Sequence, residues 1–158
     1  MRIQIIGLGI VGTAQAYLFQ QLDIHNVAGY DIKANNHSYC KTNDCIIGDV
    51  DITFICTPED VVEDVIRSLV DIDHKGIIVI RSTVPIGMIK YLSEKFDIHI
   101  CHNPEFLKEE AYLDDIMNPN AIVVGECCQK HGDMLEELYK PINKPIISPT
   151  LILMAIMG

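Results

Sequence analysis

Three glycines in one short loop, Gly7-Leu8-Gly9-Ile10-Val11-Gly12, stand between an apolar run and the start of a helical pattern, and Asp31 follows where a second apolar run ends. This arrangement suits an anion. Backbone N–H groups at a helix N-terminus point outward with the positive end of the helix dipole, so a pyrophosphate can be held there without any cationic side chain. In such a loop Gly7 permits a tight turn, Gly9 lets a phosphate come against the backbone, and Gly12 lets the helix lie close to the strand. An acid about 20 residues beyond the loop accepts from ribose hydroxyls and repels a 2′-phosphate. Gly7, Gly9, Ile10, Val11, Gly12 and Asp31 are therefore the expected cofactor-binding residues, with NAD favoured over NADP. A glycine triplet alone is often an ordinary turn, and flavin-binding chains share the fingerprint. The strand, helix and acid in register weigh against the first alternative, and nothing else in the chain looks built for a flavin.

Further groups capable of chemistry lie downstream in three short stretches: Cys56-Thr57-Pro58, Arg81-Ser82-Thr83-Val84-Pro85-Ile86-Gly87, and His102-Asn103-Pro104-Glu105-Phe106-Leu107-Lys108-Glu109. A hydroxyl such as Thr83 and a carboxylate such as Glu105 or Glu109 can orient and deprotonate a water. On a helix, Glu105 and Glu109 would share one face. The plainer alternatives are a solvated acidic helix start for the two glutamates and a helix-capping hydroxyl for Thr83. His102 beside Asn103 has the look of a catalytic pair, although a histidine at a strand end is more often structural. The six cysteines match no paired zinc pattern, so reduced, mostly buried thiols and no metal site are expected.

The elements that must position these groups are legible as short apolar runs alternating with helical patterns, which is the signature of βαβ units and a parallel sheet covered on both faces. Strands are expected at Arg2 to Ile6, Asn26 to Tyr30, Ile52 to Cys56, Gly76 to Ile80, Ile98 to Cys101 and Ala121 to Val124, with a short final strand at Pro145 to Ser148. A first helix should run from Gly9 to Leu22. A second should place Val61, Val62, Val65, Ile66 and Leu69 on one face. Pro85 fits the first turn of a helix reaching Phe96, and Lys108 to Asp115 and Gln129 to Tyr139 are the last helical segments. The Asn-rich stretch from Lys33 to Asp49 reads as a loop or frayed helix. The resulting expectation is a single α/β domain of Rossmann type, doubly wound, with a mainly parallel sheet and helices on both faces. All three downstream stretches then fall at the C-terminal ends of strands, where ligands bind in open α/β folds.

With 158 residues, nearly half of them apolar, the chain is sized for one domain, and its formal charge of −10 argues against nucleic acid and anionic membrane surfaces as partners. A glycine loop within the first dozen residues leaves no room for a signal peptide, so a cytoplasmic protein is expected. The apolar tail from Leu151 to Met157 is far shorter than the roughly 20 residues that span a bilayer. It suits packing on this domain, joining two copies in a homodimer, or leading into further chain.

Taken together and in this order, the three downstream stretches, with Asn118-Pro119-Asn120-Ala121-Ile122-Val123-Val124-Gly125 after them, resemble the UDP-glucose/GDP-mannose dehydrogenase family over roughly residues 1–147. The resemblance implies the NAD-binding domain of a nucleotide-sugar 6-dehydrogenase, which oxidises a sugar C6 alcohol to the carboxylate in two NAD-dependent steps. It also implies roles for particular residues. Thr57 and Pro58 would flank the adenosine side of NAD, while Ser82, Thr83 and Val84 would lie beside the nicotinamide. Glu105, Phe106, Leu107, Lys108 and Glu109 would touch the nucleotide sugar, with Thr83, Glu105 and Glu109 catalytic and Glu109 also near the cofactor. One departure is Asn36, five residues past Asp31, where the family carries a basic residue; Lys33 is the available substitute. The apolar tail at 148–158 stands where the family's connecting helix would start; that helix and the second domain, which supplies the nucleophilic cysteine, are what full catalysis is expected to need. The alternative is an inactive NAD-binding or interaction module. A β-hydroxyacid dehydrogenase is a third reading, but it leaves the Asn-Pro-Glu-Phe-Leu run unexplained.

Overall fold

A computed structural model describes residues 1–33 and 36–148, so the apolar tail from 149 onward lies outside the described residues. Six strands form one parallel sheet: β1 (Ile3–Ile6), β2 (Val27–Tyr30), β3 (Lys41–Thr42), β4 (Ile52–Ile55), β5 (Ile77–Ile80) and β6 (Ile100–His102). Their order across the sheet is β3-β2-β1-β4-β5-β6. The chain thus works outward from β1 in one direction and then in the other. The reversal opens a crevice between the C-terminal ends of β1 and β4, the position at which doubly wound folds bind dinucleotides.

Strand composition explains why helices must cover both sides. Alternate side chains point to opposite faces, and here both sets are apolar. Ile3, Ile5, Ile52, Phe54, Ile77 and Val79 join one buried cluster, which helices α1 (Ile10–Gln21), α4 (Tyr112–Met117) and α5 (Gln129–Tyr139) complete. Ile6, Ile55, Ile78, Ile80 and Ile100 join a second with α2 (Val62–Asp71) and α3 (Met88–Phe96). Two polar positions break the pattern at Gln4 and Thr53, and their amides and hydroxyls are satisfied internally: Gln4 Nε2 donates to Thr53 Oγ1 (3.2 Å), and Gln4 Oε1 accepts from the Ile47 N–H (2.7 Å). That exchange ties the loop before β4 to the middle of the sheet.

The Rossmann architecture, both-face helix cover and all seven expected strand positions agree with the sequence expectation, and four local readings need correction. Pro85 lies before α3 rather than in its first turn; the helix starts after Gly87, whose φ of 85° suits a residue without a Cβ. Val61 closes a short 3₁₀ turn over Glu59–Val61 and leaves the buried face that Val62, Ile66 and Leu69 keep. The expected helix at Lys108 to Asp115 forms later, at Tyr112–Met117, and residues 103–108 run as irregular chain. Finally, the Asn-rich stretch contributes the edge strand β3, docked through His37, whose Nε2 meets Thr13 Oγ1 at 3.0 Å, and through Tyr39, stacked edge-on against Tyr17. Strands β7 (Ile122–Val123) and β8 (Ile146–Ile147) pair in parallel beside the main sheet. A bridge between His102 and Gly125 joins this pair to β6. No helix among the described residues is long and apolar enough to cross a membrane.

Burial holds His37, His74 and His102 below the ordinary imidazole range. For each, the unfolded chain therefore binds more protons than the folded one between that lowered value and about 6.5, and stability is lost as pH falls through this window. Urea midpoints should drop from pH 7.5 to pH 5.5, and the drop should be smaller in His74→Gln. A midpoint that is flat or rises on acidification would contradict the assignment of partly buried neutral rings.

Candidate functional site

The glycine loop owes its shape to two close approaches. A Cβ on Gly12 would meet the carbonyl oxygen of Gly7 at 1.8 Å, so α1 can cross this near to the turn after β1 only with glycine there. Gly7, at φ 90°, would carry a Cβ 2.9 Å from the backbone of Cys56 on the neighbouring strand end. Gly9 is the opposite case, with open space around its missing Cβ. Backbone is thus open at Gly9, one of the loop positions that face the crevice.

Asp31 ends the second strand and receives two backbone hydrogen bonds, from the Leu8 N–H to Oδ2 (2.8 Å) and from the Lys33 N–H to Oδ1 (2.8 Å). Its carboxylate therefore braces the loop as well as facing the cavity, and each oxygen keeps lone-pair capacity for another donor. This bracing role was not visible in the linear sequence.

The crevice opens into a cavity of about 830 Å³. Of the residues expected to bind cofactor, Gly7, Gly9, Ile10, Val11 and Asp31 line it from one side, and Thr57, Pro58, Ser82 and Thr83 from the other. Gly12 lies behind the loop, and Val84 packs against the second core cluster instead of the cavity. Lys33 also borders the space, whereas Asn36 does not. The wall is completed by groups the sequence did not single out, notably Ile32, Val61 and Val65 as apolar surface and Glu59, Asp60 and Asp64 as acids. Val61 reaches it because the 3₁₀ turn rotates it away from the core, a change of local pitch that periodicity alone does not reveal.

Two polar atoms at the cavity's inner end are informative. Ser82 Oγ donates to the Thr57 carbonyl, which pins adjacent strand ends together. Thr57 Oγ1 is buried and has no hydrogen-bond partner among the described residues, leaving a hydroxyl available to a bound group. Cys56 beneath them has its thiol pushed up to about 12, first by burial and then by the neighbouring Glu105 against the opposing Arg81, so it is a neutral packing group and not a nucleophile.

A second cavity of about 440 Å³ adjoins the first and is lined by Arg81, Asn103, Glu105, Phe106, Leu107 and Lys108, among others. Glu105 borders both cavities. Its Oε2 accepts from the Leu107 N–H at 2.6 Å, a short local turn that fixes the carboxylate where the two spaces meet. Glu109 is different: it is exposed in a turn outside the helix and lines neither cavity, so Glu105 and Glu109 do not share a helical face. Its expected share in proton handling therefore has no geometric support. Phe106 is 72% exposed, an apolar ring left on the rim of the smaller space.

The floor of that smaller space is a buried polar network. Arg81, 4% exposed, donates from Nη1 to Asn103 Oδ1 (2.5 Å), which also accepts from the Tyr139 hydroxyl, while Asn103 Nδ2 donates to the Val123 carbonyl at 2.7 Å. His102 Nε2 stands 3.4 Å from the Ser82 carbonyl. The pair His102 and Asn103 thus supports the strand ends rather than projecting together as acid and base.

Comparison with known proteins agrees with this layout. Residues 43–143 match the model of the UDP-glucose/GDP-mannose dehydrogenase family, NAD binding domain. The chain is 29% identical over 164 residues to the UDP-glucose 6-dehydrogenase of Campylobacter jejuni, a match covering 80% of this chain and 42% of that protein. Among solved structures, the GDP-mannose dehydrogenase ternary complex from Pseudomonas aeruginosa superposes with a TM-score of 0.85 at 24% identity, and a UDP-glucose dehydrogenase from Pyrobaculum islandicum with 0.86 at 22%. Each of these superpositions covers 99% of this chain and 48% of the other, a likeness of fold. The chain spans less than half the length of these relatives. Since the family match takes in well over half of its residues, the chain belongs to the UDP-glucose/GDP-mannose dehydrogenase family and corresponds to its NAD binding domain.

Proposed function

We propose that this chain supplies the cofactor half of a nucleotide-sugar 6-dehydrogenase, holding NAD in the larger cavity and presenting its reactive ring at the junction marked by Glu105. The observation that carries this reading is the open backbone at Gly9 facing a cavity bordered by Asp31 on one side and by Thr57 and Thr83 on the other. Pyrophosphate would take the first-turn N–H groups of Ile10 and Val11, which have no intrahelical acceptor. Ribose hydroxyls would donate to Asp31, and the base would lie against Ile32 and Val61. Thr57 Oγ1 would find in the dinucleotide the partner it lacks among the described residues.

NAD, when bound, accepts the hydride that leaves the substrate carbon. The chain's own contribution is positional and electrostatic. Thr83, an exposed hydroxyl on the cavity wall, can orient a water or a substrate hydroxyl, and Glu105 can take its proton at the boundary of the two cavities. Phe106, Leu107 and Lys108 would form the sugar side of the smaller cavity. In this reading the domain runs over residues 1–147, and conversion of the C6 alcohol to the carboxylate needs the remainder of the fold that the longer relatives carry.

Calorimetric titration tests the assignment directly. NAD should bind the purified chain more tightly than NADP, and no heat at millimolar NAD would leave the domain without its cofactor role. Because a methyl group at Gly9 meets no neighbour, Gly9→Ala should leave the melting temperature within about 2 °C of the parent, the shift expected for a near-neutral surface change. It should nonetheless cost at least about tenfold in NAD affinity by blocking the phosphate's approach. Asp31→Asn should narrow the preference for NAD over NADP. It should also destabilise the chain by roughly 1 kcal/mol, since it removes a charged acceptor from the Leu8 and Lys33 N–H groups. An Asn variant that keeps full discrimination would take Asp31 out of the ribose site.

A further inference from the structure

At the far end of β6 from the cavities, four potential ligand atoms converge. His99, just before β6, meets Cys127, Cys128 and His131, which lie at the start of α5, and one ligand atom from each of the four falls within 4.8 Å of all the others. Cys127 Sγ and His131 Nδ1 are 3.1 Å apart, and the rings of His99 and His131 meet edge-to-face with centroids 5.6 Å apart. Tetrahedral zinc with two thiolates and two imidazoles needs ligand–ligand separations of roughly 3.3–3.8 Å, given metal bonds of about 2.0–2.3 Å. The group therefore reaches that geometry through changes the size of a side-chain rotamer. No spacing rule finds it, because His99 is separated from the Cys-Cys-x-x-His run by the whole segment that carries β6, α4 and β7.

We propose that His99, Cys127, Cys128 and His131 form a structural site for a zinc-type divalent cation, distinct from the NAD and sugar cavities. The donor set is the soft and borderline mixture that zinc prefers over magnesium or calcium. Two thiolates would neutralise the ion, and Cys128 stands as the capping residue at the N-terminus of α5. Four protein ligands leave no open position for substrate, which makes the role structural. The two thiols and His131 are only partly buried and His99 is exposed, so an ion can enter.

The consequence reaches the active region through the chain. Residues 99 and 127–131 are the two feet of the excursion that carries Glu105, Phe106, Leu107 and Lys108. Backbone bonds between His102 and Gly125 already draw these feet together, with the His102 N–H on the Gly125 carbonyl (2.9 Å) and the Gly125 N–H on that of His102 (2.6 Å). A bound cation closes the excursion at its base. Cys101 Sγ, 3.4 Å from Cys127 Sγ, is the competitor, since an oxidant joining these two thiols as a disulfide would remove one ligand.

Cobalt(II) titration of the reduced full chain tests the site. The expected result is saturation at one equivalent, with the visible absorption of tetrahedral cobalt and thiolate-to-cobalt charge-transfer bands, both abolished by zinc. The bands should be lost in Cys128→Ser and in His131→Gln, and kept in Cys101→Ser and Cys45→Ser. Zinc at a hundredfold excess over its Kd should raise the melting temperature by roughly 5–10 °C. It should also protect Cys127 and Cys128, but not exposed Cys45, from alkylation in the unmutated chain, a readout that needs no variant to fold. An octahedral cobalt spectrum, bands that survive Cys128→Ser, bands that depend on Cys101, or unchanged alkylation of Cys127 and Cys128 would each overturn the proposal.

Discussion

The crossing of α1 over the turn that follows β1 is the constraint on which the rest of the site depends. With 1.8 Å between the place of a Gly12 Cβ and the Gly7 carbonyl, the helix and strand approach as closely as backbone allows. That contact aims the helix N-terminus at the crevice between β1 and β4, where aligned peptide dipoles and unpaired N–H groups create a positive pole in a chain of strongly negative net charge. The acids Glu59, Asp60 and Asp64 on the same cavity make this local pole matter, because side-chain electrostatics there do not favour an anion. Backbone geometry, not cationic side chains, has to supply the attraction. The Thr13 hydroxyl, bonded to the Leu8 carbonyl, and Asp31, bonded to the Leu8 N–H, hold the loop in that shape from both sides.

A second layer of organisation lies under the smaller cavity. Arg81 is buried without a carboxylate within ion-pair distance among the described residues, and its charge is met by the side-chain oxygen of Asn103. Taking a guanidinium out of water is costly unless its hydrogen bonds are well placed. Here the same Asn103 oxygen also takes the Tyr139 hydroxyl, so a residue at the end of β6 binds a residue at the end of α5. The network thereby fixes the floor on which Glu105 and its neighbours stand. Arg81 Nε has no partner among the described residues, and the atom belongs to a residue lining the smaller cavity.

The amino-acid sequence by itself determined the fold class and the dinucleotide loop, because both rest on short-range rules. Continuously apolar strands such as Ile77–Ile80 must be covered on two faces, and three glycines between a strand and a helix, with an acid at the end of the next strand, fit a dinucleotide loop. It also placed Thr57, Ser82, Thr83 and Glu105 at strand ends, and the cavities formed there. Local pitch was less legible. Val61 and Pro85 obeyed helical pattern rules yet fell outside the helices, since a 3₁₀ turn and a left-handed Gly87 set the actual starts. Only the tertiary structure decided which polar groups meet. Glu109 is four residues from Glu105 but faces away because that segment is not helical, Asp31 braces Leu8, and His99 joins Cys127, Cys128 and His131 across a long excursion. Contacts of that kind depend on how strands and loops are brought side by side in space, and spacing along a chain carries no record of it.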